Sequence, residues 1–151
     1  MTSERKIVPD NGLAADLHTA PQIHREDSVQ DAIIEEQYAR LVETVRDYNP
    51  AADFVHIESA YHFAKRCHEG QRRKSGEPYI IHPLAVAQIV AEELKLDSES
   101  IEAALLHDCI EDTAATYADI ARLFSPTVAD LVEGVSKLTR IQYATKEDEQ
   151  M

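Results

Sequence analysis

His107 and Asp108 are adjacent, and Glu111 and Asp112 follow within a turn, in a segment whose period predicts one helix from Ile101 to Asp112. Ile101, Ala104, Leu105 and Asp108 fall at i, i+3, i+4 and i+7, so the aspartate takes a position at which the period calls for an apolar residue. A charge buried without a partner is costly, and a bound cation is one of the few things that removes the cost. Glu111 lies three residues after Asp108 and Asp112 four, which lets all four side chains address one end of the helix surface. His82 adds a second imidazole upstream. Two imidazoles and a carboxylate suit Mn, Fe, Zn or a related divalent ion, and a neighbouring acidic pair can orient and deprotonate water, so the constellation reads as half of a metal-dependent hydrolase site.

The elements that must position these residues are helical. Ile34, Tyr38, Leu41 and Val45 form a stripe that follows a capping pair, Ser28 and Asp31, and stops near Asn49-Pro50. A second helix is predicted from Asp53 to Glu69, with Phe54, Ile57, Tyr61 and Ala64 inward and Gly70 as its stop. His68 prolongs that stripe and is expected to be a hydrogen-bonded core or C-terminal histidine rather than a ligand, whereas His56 and His62 fall on outer faces. Residues 71–79 contain Gly76 and Pro78 without an apolar period and should form a loop. His82-Pro83 then opens a helix whose apolar residues are Val86, Ala87, Val90 and Leu94, and Asp97 or Ser98 caps the helix of His107. Thr116 with Asp119, and Ser125 with Pro126, start two more, the last with Val128, Leu131, Val132 and Val135 inward. The fold class is all-α, with residues 1–26 a flexible leader lacking a sustained period and residues 27–151 the folded domain.

With 28 acidic against 15 basic residues, the net charge of -13 offers no general field for nucleic acid or an anionic membrane. Two cysteines, Cys67 and Cys109, in predicted helices and the lack of a signal-like or long apolar segment fit a reducing cytoplasm. Against this acidic background, Lys65, Arg66, Arg72, Arg73 and Lys74 place five of the 15 basic residues in ten positions just before His82. Alone such a run is a solvated surface; beside a metal site it suits a phosphorylated substrate.

The stretch from His68 to Pro83 (HEGQRRKSGEPYIIHP) resembles the opening signature of the RelA/SpoT alarmone enzymes, and that from Ala103 to Thr113 (AALLHDCIEDT) their hydrolase signature. The similarity continues from Phe124 to Leu138 (FSPTVADLVEGVSKL), so it covers residues 54 to about 140. This resemblance implies an HD-superfamily helical domain that removes pyrophosphate from the 3′ position of guanosine tetra- or pentaphosphate (ppGpp or pppGpp), giving GDP or GTP, with manganese as cofactor. It implies His82, His107 and Asp108 as ligands, Glu111 and Asp112 as the residues that position or deprotonate the attacking water, and Arg73 and Lys74 as nucleotide contacts. It also implies a fourth ligand, an aspartate in a Lys-Leu-Ala-Asp-Arg-like stretch on a later helix, which these 151 residues do not contain; Asp130, Glu133 and Asp148 are the candidate substitutes. The chain is therefore expected to be the N-terminal part of such a hydrolase domain, lacking its C-terminal helices and the synthetase domain. The alternatives are an inactive nucleotide-binding or regulatory fragment and an HD phosphohydrolase acting on another nucleotide.

Overall fold

Helix α4, Ser98–Leu106, is apolar almost all round: Ile101, Ala103, Ala104, Leu105 and Leu106 are buried, and so is Glu102. A helix with no polar face must be surrounded, and in the computed structural model, which describes residues 28–137, α4 packs against α2 and α3. The other helices are α1 (28–48), α2 (Phe54–Cys67), α3 (Ile81–Ile89, continued by a π-helical turn Val90–Leu94), α5 (Cys109–Asp112), α6 (Tyr117–Leu123) and α7 (126–137). Among the described residues there is no strand, only an isolated bridge between Arg72 and Pro78. By internal contacts the chain forms two units, residues 1–35 and 36–151. In the first, residues 28–35 are helical, and the expected leader, residues 1–26, lies outside the described residues.

The core of the second unit contains Leu41 and Val45 from α1, Ile57, Ala60, Tyr61 and Ala64 from α2, and Leu84 and Ala87 from α3. Burial of each Leu or Ile contributes roughly 1.5–3 kcal/mol. Tyr38 stacks on Tyr61 with ring centroids 4.0 Å apart, joining α1 to α2. The expected caps are present: Asp53 accepts from His56 N, Asp97 from Ser100 N, and Ser125 from Val128 N, while Thr116 and Asp119 form a reciprocal capping box.

Three features differ from the sequence expectation. In α3 the buried side is Pro83, Leu84, Ala87 and then Ala91, while Leu94 is 61% exposed. Leu84, Ala87 and Ala91 keep the helical period on a face offset from that of Val86, Val90 and Leu94, and the π turn at Val90–Leu94 adds a residue to the repeat before Leu94. In α7, Val128, Ala129, Val132 and Ser136 are buried, whereas Leu131 and Val135 lie outward. The single helix predicted from Ile101 to Asp112 is two helices, α4 and α5, broken at His107-Asp108.

Candidate metal centre

The break between α4 and α5 builds the site. His107 Nδ1 donates to the Ala104 carbonyl at 2.7 Å, taking an acceptor that a continuing helix would give to the Asp108 amide. The ring is thereby oriented, with Nε2 as the nitrogen left to meet a ligand. Ser136 Oγ on α7 reaches the His107 carbonyl at 3.4 Å and holds the turn from the other side. His82 enters from the first turn of α3, where Pro83 needs no amide partner.

His107 Nε2 lies 3.2 Å from Asp108 Oδ2 and His82 Nε2 lies 3.5 Å from the same oxygen. The two imidazole centroids are 5.6 Å apart, and one donor atom from each of the three residues falls within 4.8 Å of the others. Donors bound to one ion at about 2.0–2.2 Å stand about 3.0–3.4 Å from one another, close to the separations of Asp108 from the two imidazoles. Among the described residues this is the one cluster of three or more such side chains with that geometry. The side chains of His107 and Asp108 are 11% and 13% exposed and that of His82 32%, leaving the cluster open on the His82 side.

Burial alone would raise the Asp108 carboxyl, but His107, His82 and the Tyr79 hydroxyl outweigh it and hold Asp108 below the usual carboxylate range. Burial alone would likewise lower the His107 imidazole; the Asp108 hydrogen bond, the Ala104 carbonyl and the charges of Asp108 and Glu111 raise it above its ordinary value. Asp108 is thus a charged carboxylate suited to a cation, and the His107 ring would give up its Nε2 proton on binding one.

Of the residues singled out from sequence, His82, His107 and Asp108 converge. Glu111 lies exposed on α5 just beyond them, close enough for its charge to act on His107, and Asp112 ends α5 with its side chain outside the described residues. Arg73 and Lys74 are exposed in the 71–79 loop, where Arg73 pairs with Glu77 at 3.8 Å. That loop is a short hairpin closed by Arg73 N to Glu77 O and Tyr79 N to Gln71 O, turning at Gly76 with φ +94°. Asp130 accepts from the Tyr117 hydroxyl at 2.6 Å and Glu133 pairs with Lys137 at 3.4 Å, so neither joins the cluster; Asp148 lies outside the described residues. His68 is a buried core histidine, bonded through Nδ1 to Gln71 Oε1 at 2.9 Å and facing Cys109 Sγ at 3.9 Å. Sequence reasoning missed Tyr79, whose hydroxyl donates to Asp108 Oδ2 at 3.2 Å; its place three residues before His82, on the same turn into α3, was the available signal.

Residues 60–151 match the HD domain family, more than half of the chain, and the chain belongs to that family. Within it, the similarity is to RelA/SpoT-type proteins. The chain is 50% identical over 113 residues to the bifunctional (p)ppGpp synthase/hydrolase SpoT of Escherichia coli K12, covering 75% of this chain and 16% of that protein. It is 55% identical over 93 residues to the guanosine-3′,5′-bis(diphosphate) 3′-pyrophosphohydrolase of Aquifex aeolicus, covering 62% and 13% respectively. A solved structure described as a metazoan orthologue of SpoT that hydrolyses ppGpp superposes with a TM-score of 0.50 at 36% identity, covering 52% of this chain and 46% of that one. The chain thus spans about a sixth of the length of the first curated relative. None of the described helices is long and apolar enough to cross a membrane.

Proposed function

We propose that this chain forms the metal-binding part of a hydrolase that releases pyrophosphate from the 3′ position of ppGpp or pppGpp, leaving GDP or GTP. The observation that carries the reading is the convergence of His82, His107 and Asp108 on one point, in a domain whose relatives bear that activity in their names. These three side chains would hold a divalent ion, for which manganese is our choice. When bound, the ion supplies Lewis-acid polarisation of the phosphoryl oxygens and lowers the pKa of a water.

The protein's own groups perform the remaining tasks. Asp108 is kept ionised by its neighbours, and His107 is fixed by Ala104, so the donors are set before ligand arrives. Glu111, one turn beyond His107, takes a proton from the attacking water, and Asp112 orients that water. As water oxygen bonds to the phosphorus attached to the 3′ oxygen, the bond between that phosphorus and the 3′ oxygen breaks, pyrophosphate departs, and the 3′ oxygen takes up a proton from solvent to become the hydroxyl of GDP or GTP. Arg73 and Lys74 neutralise phosphate charge from the loop that leads into His82. Neither Cys67 nor Cys109 is in a disulfide, which favours a cytoplasmic setting.

A second reading, a module that binds metal and nucleotide without turnover, is favoured by one observation: the described residues bring three protein donors together, with Asp130 and Glu133 engaged elsewhere. Pyrophosphate release from 3′-labelled ppGpp in manganese separates the two, measured for this chain and for a form extended with the relatives' later aspartate-bearing helix. The extended form is expected to turn over, to stop on chelation and to lose about a hundredfold in rate in Glu111→Gln with manganese affinity unchanged. Manganese binding without turnover in the extended form would favour the second reading.

A further inference from the structure

Tyr79 joins the basic loop to the metal centre. Its hydroxyl donates to Asp108 Oδ2 at 3.2 Å, the same oxygen that faces both imidazoles. Its ring lies 4.7 Å from that of the buried His68 at 30° and meets His82 edge-on at 5.9 Å. Its amide donates to the Gln71 carbonyl at 3.0 Å, and the Gln71 side chain is held in turn by His68 Nδ1 at 2.9 Å. His68 also faces Cys109, the neighbour of Asp108, so the ends of the 71–79 loop and the turn between α4 and α5 are fastened to the same buried imidazole.

We propose that Tyr79 is a positioning residue of the metal centre, one that fixes the plane of the Asp108 carboxylate through its hydroxyl and ties the basic loop to that carboxylate through its backbone. The inference rests on the reading of His82, His107 and Asp108 as metal ligands. A carboxylate oxygen has two lone pairs, so Oδ2 can accept the hydroxyl proton while presenting the other pair to a cation. The hydroxyl shares that oxygen with both imidazoles, which lie within 3.5 Å of it, and is the partner that remains to hold the carboxylate when a cation takes up their ring nitrogens. Hydrogen-bond partners of metal ligands act in this way, and their loss costs about 10–100-fold in metal affinity. The tilted contact with the buried His68 ring limits ring motion, which makes the hydroxyl's direction a property of the fold.

The test is manganese titration of the full chain, followed by the electron paramagnetic resonance signal of the free ion, for wild type, Tyr79→Phe and His107→Ala, with helical circular dichroism and the thermal midpoint recorded for each. Phenylalanine keeps the ring and removes only the donor. The expected result is an unchanged helical signal and midpoint in Tyr79→Phe with a dissociation constant about 10–100-fold weaker than wild type. An affinity within twofold of wild type would overturn the positioning role while leaving the metal-site reading intact. Loss of helical structure in Tyr79→Phe would also overturn it, by making the hydroxyl a requirement of folding. Equal binding by wild type and His107→Ala would instead overturn the ligand assignment, and this inference with it.

Discussion

The middle of α4 and the turn just past its C-terminal end each bury a carboxylate, and they treat it in opposite ways. Glu102, at the middle of the helix, is 3% exposed and makes no side-chain hydrogen bond among the described residues. Its surroundings are Asp53, Asp97 and Glu99 with only His56 in opposition, and burial foremost pushes it up to about 7. Asp108, just past the C-terminal end, is also largely buried, yet two imidazoles and a tyrosine hydroxyl hold it below its ordinary value. Burial raises both carboxyls, and what separates them is whether neighbouring donors outweigh it. A buried carboxyl without such donors holds its proton up to neutrality, and one among donors stays ionised.

The comparison is sharpened first by stability against pH. The folded chain binds the Glu102 proton more tightly than the unfolded chain, so this group's contribution is full below its ordinary value of 4.5 and is lost as pH rises to about 7. The lowered carboxyls Asp53, Asp97 and Asp108 act in a separate window, with stability lost on acidification below 3.8. His107, raised above 6.5, declines in the same direction as Glu102, so the difference between wild type and a Glu102 variant isolates the latter. Glu102→Gln is expected to be more stable than wild type at pH 8, by at most about 3 kcal/mol, and to match it at pH 4. Urea unfolding across this range checks it; parallel curves for the two proteins would break the comparison.

A smaller effect is expected from the loop. Arg73→Ala and Lys74→Ala should each weaken ppGpp binding about tenfold, the loss of one charge-assisted contact, whereas Glu102→Gln should leave that affinity unchanged. Calorimetric titration at moderate salt reads it. Equal affinities for all four proteins would return Arg73 and Lys74 to an ordinary solvated surface.

Much of this was legible in the sequence because it depends on short spacings. The caps at Asp97, Thr116 and Ser125 and the turn at Gly76 are set within four residues, and His107-Asp108 stands on a stripe whose burial follows from its period. What the period could not supply were the interruptions. A π turn follows Ile89, with Leu94 at its end exposed, and the imidazole of His107 ends a helix that Ala, Leu and Ile would otherwise extend. Both are settled by packing in three dimensions. Glu102 was hidden for the same reason: nothing local distinguishes a glutamate on a surface face from one enclosed by α2 and α3. Tyr79 belonged to a stretch already singled out, but its reach to Asp108, 29 residues away, required the fold.

The most direct test of the central claim, that the turn at the C-terminal end of α4 and not the buried Glu102 at its middle holds the ion, is manganese stoichiometry after equilibrium dialysis of wild type, Glu102→Gln, His107→Ala and Asp108→Ala. One ion per chain is expected in wild type and in Glu102→Gln, and close to none in His107→Ala and Asp108→Ala, since each of the latter removes one of three protein donors. Retention of one manganese ion per chain by both His107→Ala and Asp108→Ala would contradict the account.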